Sequence, residues 1–129
     1  MEYEDVVEFI ADWLDSWTGN RPNDLITFYS EDAFYKDPAK SEGLHGRKEI
    51  LPYFQKLLKS NPNWIWSARE IYPTENGVVM KWHCEIPVGD ETIEEDGMDI
   101  VDISDMKIIR NEVYFDRSRL LEAIQKLNR

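Results

Sequence analysis

The chain has a single cysteine, Cys84, which excludes an internal disulfide and any cysteine-based zinc site. Cations are scarce: 15 Lys and Arg stand against 26 Asp and Glu, a formal charge of −11. Nucleic-acid binding rests on cations that neutralise phosphates, and attachment to anionic membranes rests on basic clusters, so neither partner is expected. No apolar run approaches the roughly 18 residues of a membrane span. The acidic start Met1-Glu2-Tyr3-Glu4-Asp5 lacks the basic segment and apolar core of a signal peptide. These features predict a soluble protein of a reducing compartment, the cytoplasm. Two histidines and scattered acids show no ligand spacing, so no metal site is assigned, and nothing in the chain asks for a cofactor.

Aromatic residues, by contrast, are plentiful. Five Trp, six Tyr and five Phe in 129 residues exceed what a small core needs, so some are expected to line a pocket or an interface. The length fits one domain spanning 1–129. Tyr3, Val6, Val7, Ile10, Trp13, Leu14 and Trp17 recur at helical spacing, and Thr18-Gly19-Asn20 stops that helix. Pro22 suits the first turn of a second helix that carries Leu25, Ile26, Phe28 and Tyr29. Ala33–Lys36 reads as an edge strand closed by Asp37-Pro38, and 39–46 as a loop. A third helix carries Ile50, Leu51, Phe54, Leu57 and Leu58. Pro52 lies either in its first turn or at a kink.

From Asn63 the period falls to two, with hairpin turns at Glu75-Asn76-Gly77, Pro87–Asp90 and Ser104–Met106. Four hairpin-linked strands follow, then a last helix capped by Asp116 and carrying Leu120, Leu121, Ile124 and Leu127. The order α-α-β-α-β-β-β-β-α predicts an α+β fold: an antiparallel sheet with helices over one face. A strongly twisted sheet around a few helices leaves a cone whose interior is apolar, and any polar group turned into it is a candidate for chemistry. Residues 78–86 present one apolar face (Val78, Met80, Trp82, Cys84, Ile86) and one polar face with Lys81, His83 and Glu85. Periodicity alone leaves open which face points inward. Cys84 is expected to be a small core residue, Trp64 and Trp66 to belong to a sheet face that dimerises, and Glu91, Glu94, Glu95 and Asp96 to be solvated.

The stretch Phe28–Pro38, followed by Leu44-His45-Gly46-Arg47-Lys48-Glu49-Ile50, resembles the nuclear transport factor 2-like superfamily. The likeness is nearest to its SnoaL-like polyketide-cyclase and ketosteroid-isomerase branch. Gly97–Ile103 and Val113–Asp116 share the likeness, which runs from about residue 3 to 127. The resemblance implies a cone-shaped roll of highly curved sheet on N-terminal helices, a deep pocket for a small apolar molecule, and a homodimer packed through the sheet. Similarity to ketosteroid isomerases implies Asp37 as general base and Asp102 as a neutral acid in the oxyanion hole, with Trp13 where those enzymes carry a tyrosine; Asp99, on the opposite pleat, competes with Asp102 for the inward position. Similarity to limonene-1,2-epoxide hydrolase implies that His83 and Glu85 face the pocket as an acid–base pair, although Val113 stands where that enzyme keeps a second carboxylate. The implied walls are Trp13, Trp17, Tyr53, Phe54, Ile100, Val113 and Phe115, with Asn111 as a polar group. His45 is expected to order its loop, and an Asx-turn is the plain alternative for Asp37. The expected function is acid–base chemistry of the isomerase, cyclase or hydrolase type, or else non-catalytic binding of a ligand or partner on the same fold.

Overall fold

The structure, a computed structural model, describes residues 2–128. Its elements are α1 (Tyr3–Asp15), α2 (Pro22–Ile26), β1 (Tyr29–Asp37), β2 (Lys40–His45), α3 (Gly46–Ser60), β3 (Ile65–Pro73), β4 (Gly77–Val88), β5 (Glu91–Ser104), β6 (Lys107–Tyr114) and α4 (Ser118–Leu127). The strands form one curved, open sheet in the order β2-β1-β6-β5-β4-β3. The α+β roll expected from element order is therefore the fold. No helix among the described residues is long and apolar enough to cross a membrane.

Three local expectations change. Residues 40–45, read as loop, form β2, which pairs antiparallel with β1. β1 is consequently not an edge strand: it lies between β2 and β6. Its pairing with β6 is parallel, so the sheet is mixed rather than purely antiparallel. Parallel neighbours need a long crossover, and the whole of β2 to β5 intervenes here. Tyr29, grouped with the second helix by its apolar spacing, opens β1 instead. Pro52 lies beyond the first turn of α3, because that helix begins at Gly46.

The start of α3 explains the Leu44-His45-Gly46-Arg47 motif. Gly46 sits at φ +78°, a left-handed turn that favours glycine. The Glu49 carboxylate reaches back 2.8 Å to accept the backbone N–H of His45, which closes the exposed first turn. Arg47 donates from Nε and its terminal nitrogen to the Tyr29 carbonyl at 3.0 and 2.6 Å, fixing α3 to β1. His45 packs its ring 5.1 Å from that of Phe34. The motif holds the scaffold.

The apolar face of β4 is the buried one: Val78, Met80, Trp82, Cys84 and Ile86 all point into the core. Burial pushes the Cys84 thiol up to about 12, as suits an inert core residue. α1 packs against β3, α3 against β1, and α4 against β4 and β5. Bulges in β1 and β3, and another where β5 meets β6, sharpen the bend of the sheet. Gly97 leaves room for its neighbours: a Cβ there would lie 2.4 Å from the Trp82 ring and 2.8 Å from Phe115 Cβ.

Candidate functional site: an aromatic cavity with two carboxylates

Helices on the concave side of the sheet enclose a cavity of about 200 Å³. Trp13, Leu14 and Trp17 come from the end of α1, and Tyr53 and Leu57 from α3. The sheet supplies Tyr35, Trp66, Trp82, Ile86 and Val113, and α4 closes the remaining side with Leu120, Leu121 and Ile124. Trp64 precedes β3, and Phe115 and Arg117 lie between β6 and α4; all three reach the same space. The rings brace one another edge to face, as in Trp17 on Phe54 at 5.1 Å and Trp66 on Trp82 at 4.8 Å. Each such pair adds about 0.5–1.5 kcal/mol beyond the area it buries. The wall is thus stiff before any ligand arrives.

Asp37 is on this wall, 8% exposed at the end of β1. Its two oxygens have different tasks. Oδ1 accepts the backbone N–H groups of Ala39 and Lys40, both at 2.9 Å, and so makes the turn into β2. Oδ2 accepts the phenol protons of Tyr35 at 2.8 Å and Tyr53 at 2.6 Å. Both the Asx-turn and the cavity role are therefore present in one side chain. Burial, reinforced by the Asp37 charge, raises the Tyr35 and Tyr53 phenols above their ordinary value, so both stay neutral donors.

Asp99, on β5, is the second carboxylate in the cavity and is 4% exposed. Trp82 Nε1 donates to its Oδ1 at 2.8 Å, and Asn111 Nδ2 donates to its Oδ2 at 2.9 Å. A buried chain continues behind it: Tyr29 donates to Asn111 Oδ1 at 2.8 Å, and Trp13 Nε1 donates to the Tyr29 hydroxyl at 3.2 Å. Burial lifts the Asp99 carboxyl to about 7 against the pull of its two donors, with the Asp37 charge adding to the rise. An acid so placed holds or releases its proton near neutral pH. When protonated it is an O–H donor in an apolar chamber, the kind of group that stabilises a developing oxyanion or hands on a proton.

Of the expected site residues, Asp37, Trp13, Trp17, Tyr53, Val113 and Phe115 share this cavity. Phe54 and Asn111 are fully buried one layer behind it. The expectation for Asp102 gives way to Asp99. Register pairs Asp99 with Met80 and Val113 on the inner face, and Asp102 with Arg110 on the outer face, where Arg110 approaches it at 3.3 Å. Ile100 shares that outer face. His83 and Glu85 also lie outside the cavity, on the polar face of β4. His83 sits between Asp96 at 2.7 Å and Glu94 at 3.1 Å, and Glu85 stands opposite Ile65 and Glu94. Trp64 and Trp66, expected on an outer dimer face, are turned into the cavity instead. Tyr35 is the site residue that the sequence could have pointed to, since it lies two residues before Asp37 on the same strand face. The lining role of α4 has no local sequence signal.

Structures with this fold come from several sources. A protein of ketosteroid isomerase-like fold from Catenulispora acidiphila DSM 44928, solved in complex with trimethylamine, is 20% identical over 92% of each chain, with a TM-score of 0.79. TerC, co-crystallised with polyporic acid, is 17% identical over 92% of this chain and 97% of its own, with a TM-score of 0.77. A protein from Jannaschia sp. CCS1, described as a SnoaL-like polyketide cyclase, is 12% identical over 92% and 90%, with a TM-score of 0.75. At these identities the likeness is one of fold. No curated protein matches the sequence. The family model of the SnoaL-like domain matches residues 10–111, which include both cavity carboxylates and most of the sheet, and the chain belongs to that family.

Proposed function

We propose that this protein binds a small, ring-bearing, largely apolar molecule in the aromatic cavity and moves a proton on it. Asp99 serves as the acid, and Asp37, with its two phenol donors, as the second carboxylate. The carrying observation is Asp99 itself: a buried carboxyl on a cavity wall, raised to about 7, is poised for proton transfer near neutral pH. Two of the fold relatives hold small organic molecules, which supports the binding half of the reading. The chemistry is of the isomerase, cyclase or hydrolase type and uses the chain's own residues. A homodimer through the outer sheet face belongs to the same reading.

A second reading is non-catalytic binding, and one observation favours it. Asp37 already accepts four hydrogen bonds, so its oxygens have no free lone pair with which to take a proton. The experiment is a thermal-shift screen of ring compounds, followed by product analysis with wild type and Asp99→Asn. Turnover that falls by about 10²-fold or more in Asp99→Asn supports acid–base catalysis. Saturable stabilisation with an unchanged ligand supports the binding reading. Equal turnover in the two proteins removes Asp99 from the mechanism.

A further inference from the structure

Among the described residues, the buried side-chain polar atoms without a partner are two: Nε1 of Trp64 and Nε1 of Trp66. Both belong to residues that line the cavity, and both are donors. Both nitrogens are fully covered by protein atoms, so they lie behind the cavity surface rather than on it. Arg117 lines the same cavity, half-buried, and its guanidinium enters no hydrogen bond or ion pair among the described residues. Arg119, two residues on, is by contrast tied to Glu95 at 2.6 Å. Lys40 Nζ adds a second cation on the Tyr53 side of the cavity, 5.3 Å from that ring's centroid. The two acids are in the opposite condition. All four donors that reach Asp37 come from the protein, and each oxygen of Asp99 already accepts one.

Resting on the proposed binding role of the cavity, we infer that it selects an aromatic molecule bearing an anionic oxygen group, seated on Arg117. An organic cation is disfavoured despite the aromatic walls, because both carboxylates that would neutralise it are already hydrogen-bonded and one is near its neutral form. The net charge of −11 sharpens the point: a cation left unpaired at a cavity in so acidic a chain has work for its charge. A space of about 200 Å³ suits one or two fused rings, since an engineered cavity of about 150 Å³ holds benzene.

The test is calorimetric titration with three probes of one shape: 2-naphthoate, neutral 2-methylnaphthalene and cationic 2-naphthylmethylammonium. The expected result is that naphthoate binds about 10-fold or more tighter than either of the others, the range of a charge-assisted hydrogen bond. Arg117→Met should abolish the preference, bringing naphthoate down to the affinity that methylnaphthalene shows in the same variant. Binding of the neutral probe with no preference for the anion, or with a preference for the ammonium, overturns this inference and leaves the binding role standing. A preference that survives Arg117→Met overturns the assignment to Arg117. Failure of all three probes to bind overturns the inference and the small-molecule role together.

Discussion

Asp99 and Asp102 are three positions apart on one strand, and that odd spacing puts them on opposite faces of the sheet. Asp99 joins Gly97 and Val101 inside, while Asp102 meets Arg110 outside. The apolar neighbours of Asp102, Val101 and Ile103, therefore describe the opposite face from its own. The consequence for stability has a definite sign. A carboxyl held at about 7 in the native state keeps its proton after the unfolded chain has lost its own, at about pH 4. Native stability contributed by this group is therefore full below about pH 4, declines as pH rises to about 7, and is flat beyond. Asp99→Asn removes the titration. Its unfolding free energy should gain on wild type steadily across that window, by an amount on the order of 4 kcal/mol in total. A constant difference between the two proteins from pH 4 to 8 would show that the Asp99 carboxyl titrates normally.

At the scale of elements, β5 is the strand on which the site depends. It carries Asp99 inward and passes Gly97, where the Trp82 ring and Phe115 occupy the space of a side chain. Gly97→Ala should cost about 1–3 kcal/mol in a urea titration through overpacking, and should weaken ligand binding, because Trp82 is both the obstacle and an Asp99 donor. Wild-type stability in that variant would show that the ring has room to move. Much of this level was legible beforehand: the strand periods from residue 63 onward, the hairpin turns, and α1 all follow from short-range spacing. β2 was not, because Lys40-Ser41-Glu42-Gly43 has no apolar alternation and becomes a strand by pairing with β1. The parallel pairing of β1 with β6 joins segments about 75 residues apart and leaves no local trace. The apolar alternation of Val78, Met80, Trp82, Cys84 and Ile86 separated the two faces of β4 but left open which one points inward. Similarity to limonene-1,2-epoxide hydrolase pointed to the polar face, which lies outside the cavity.

For the whole molecule, the outer face of the sheet combines apolar and charged groups. Tyr72, Met98 and Tyr114 are about half exposed, alongside Ile65 and the cluster in which Arg110 meets Asp102 and Glu112. Isolated exposed apolar residues are ordinary, but Met98 and Tyr114 are direct cross-strand partners, and such a patch suits a second copy of the chain. Sedimentation should find a dimer at micromolar concentration, and Met98→Asp should shift it towards monomer with the cavity intact. A monomer at all concentrations would remove the dimer from the reading. The buried acid also makes the population in solution two-fold near pH 7: some molecules present a proton donor to the chamber and the rest present a negative charge. An incoming electron-rich guest prefers the first kind, so docking draws hydrogen ions out of the medium, and acidity of the surroundings becomes a dial on occupancy.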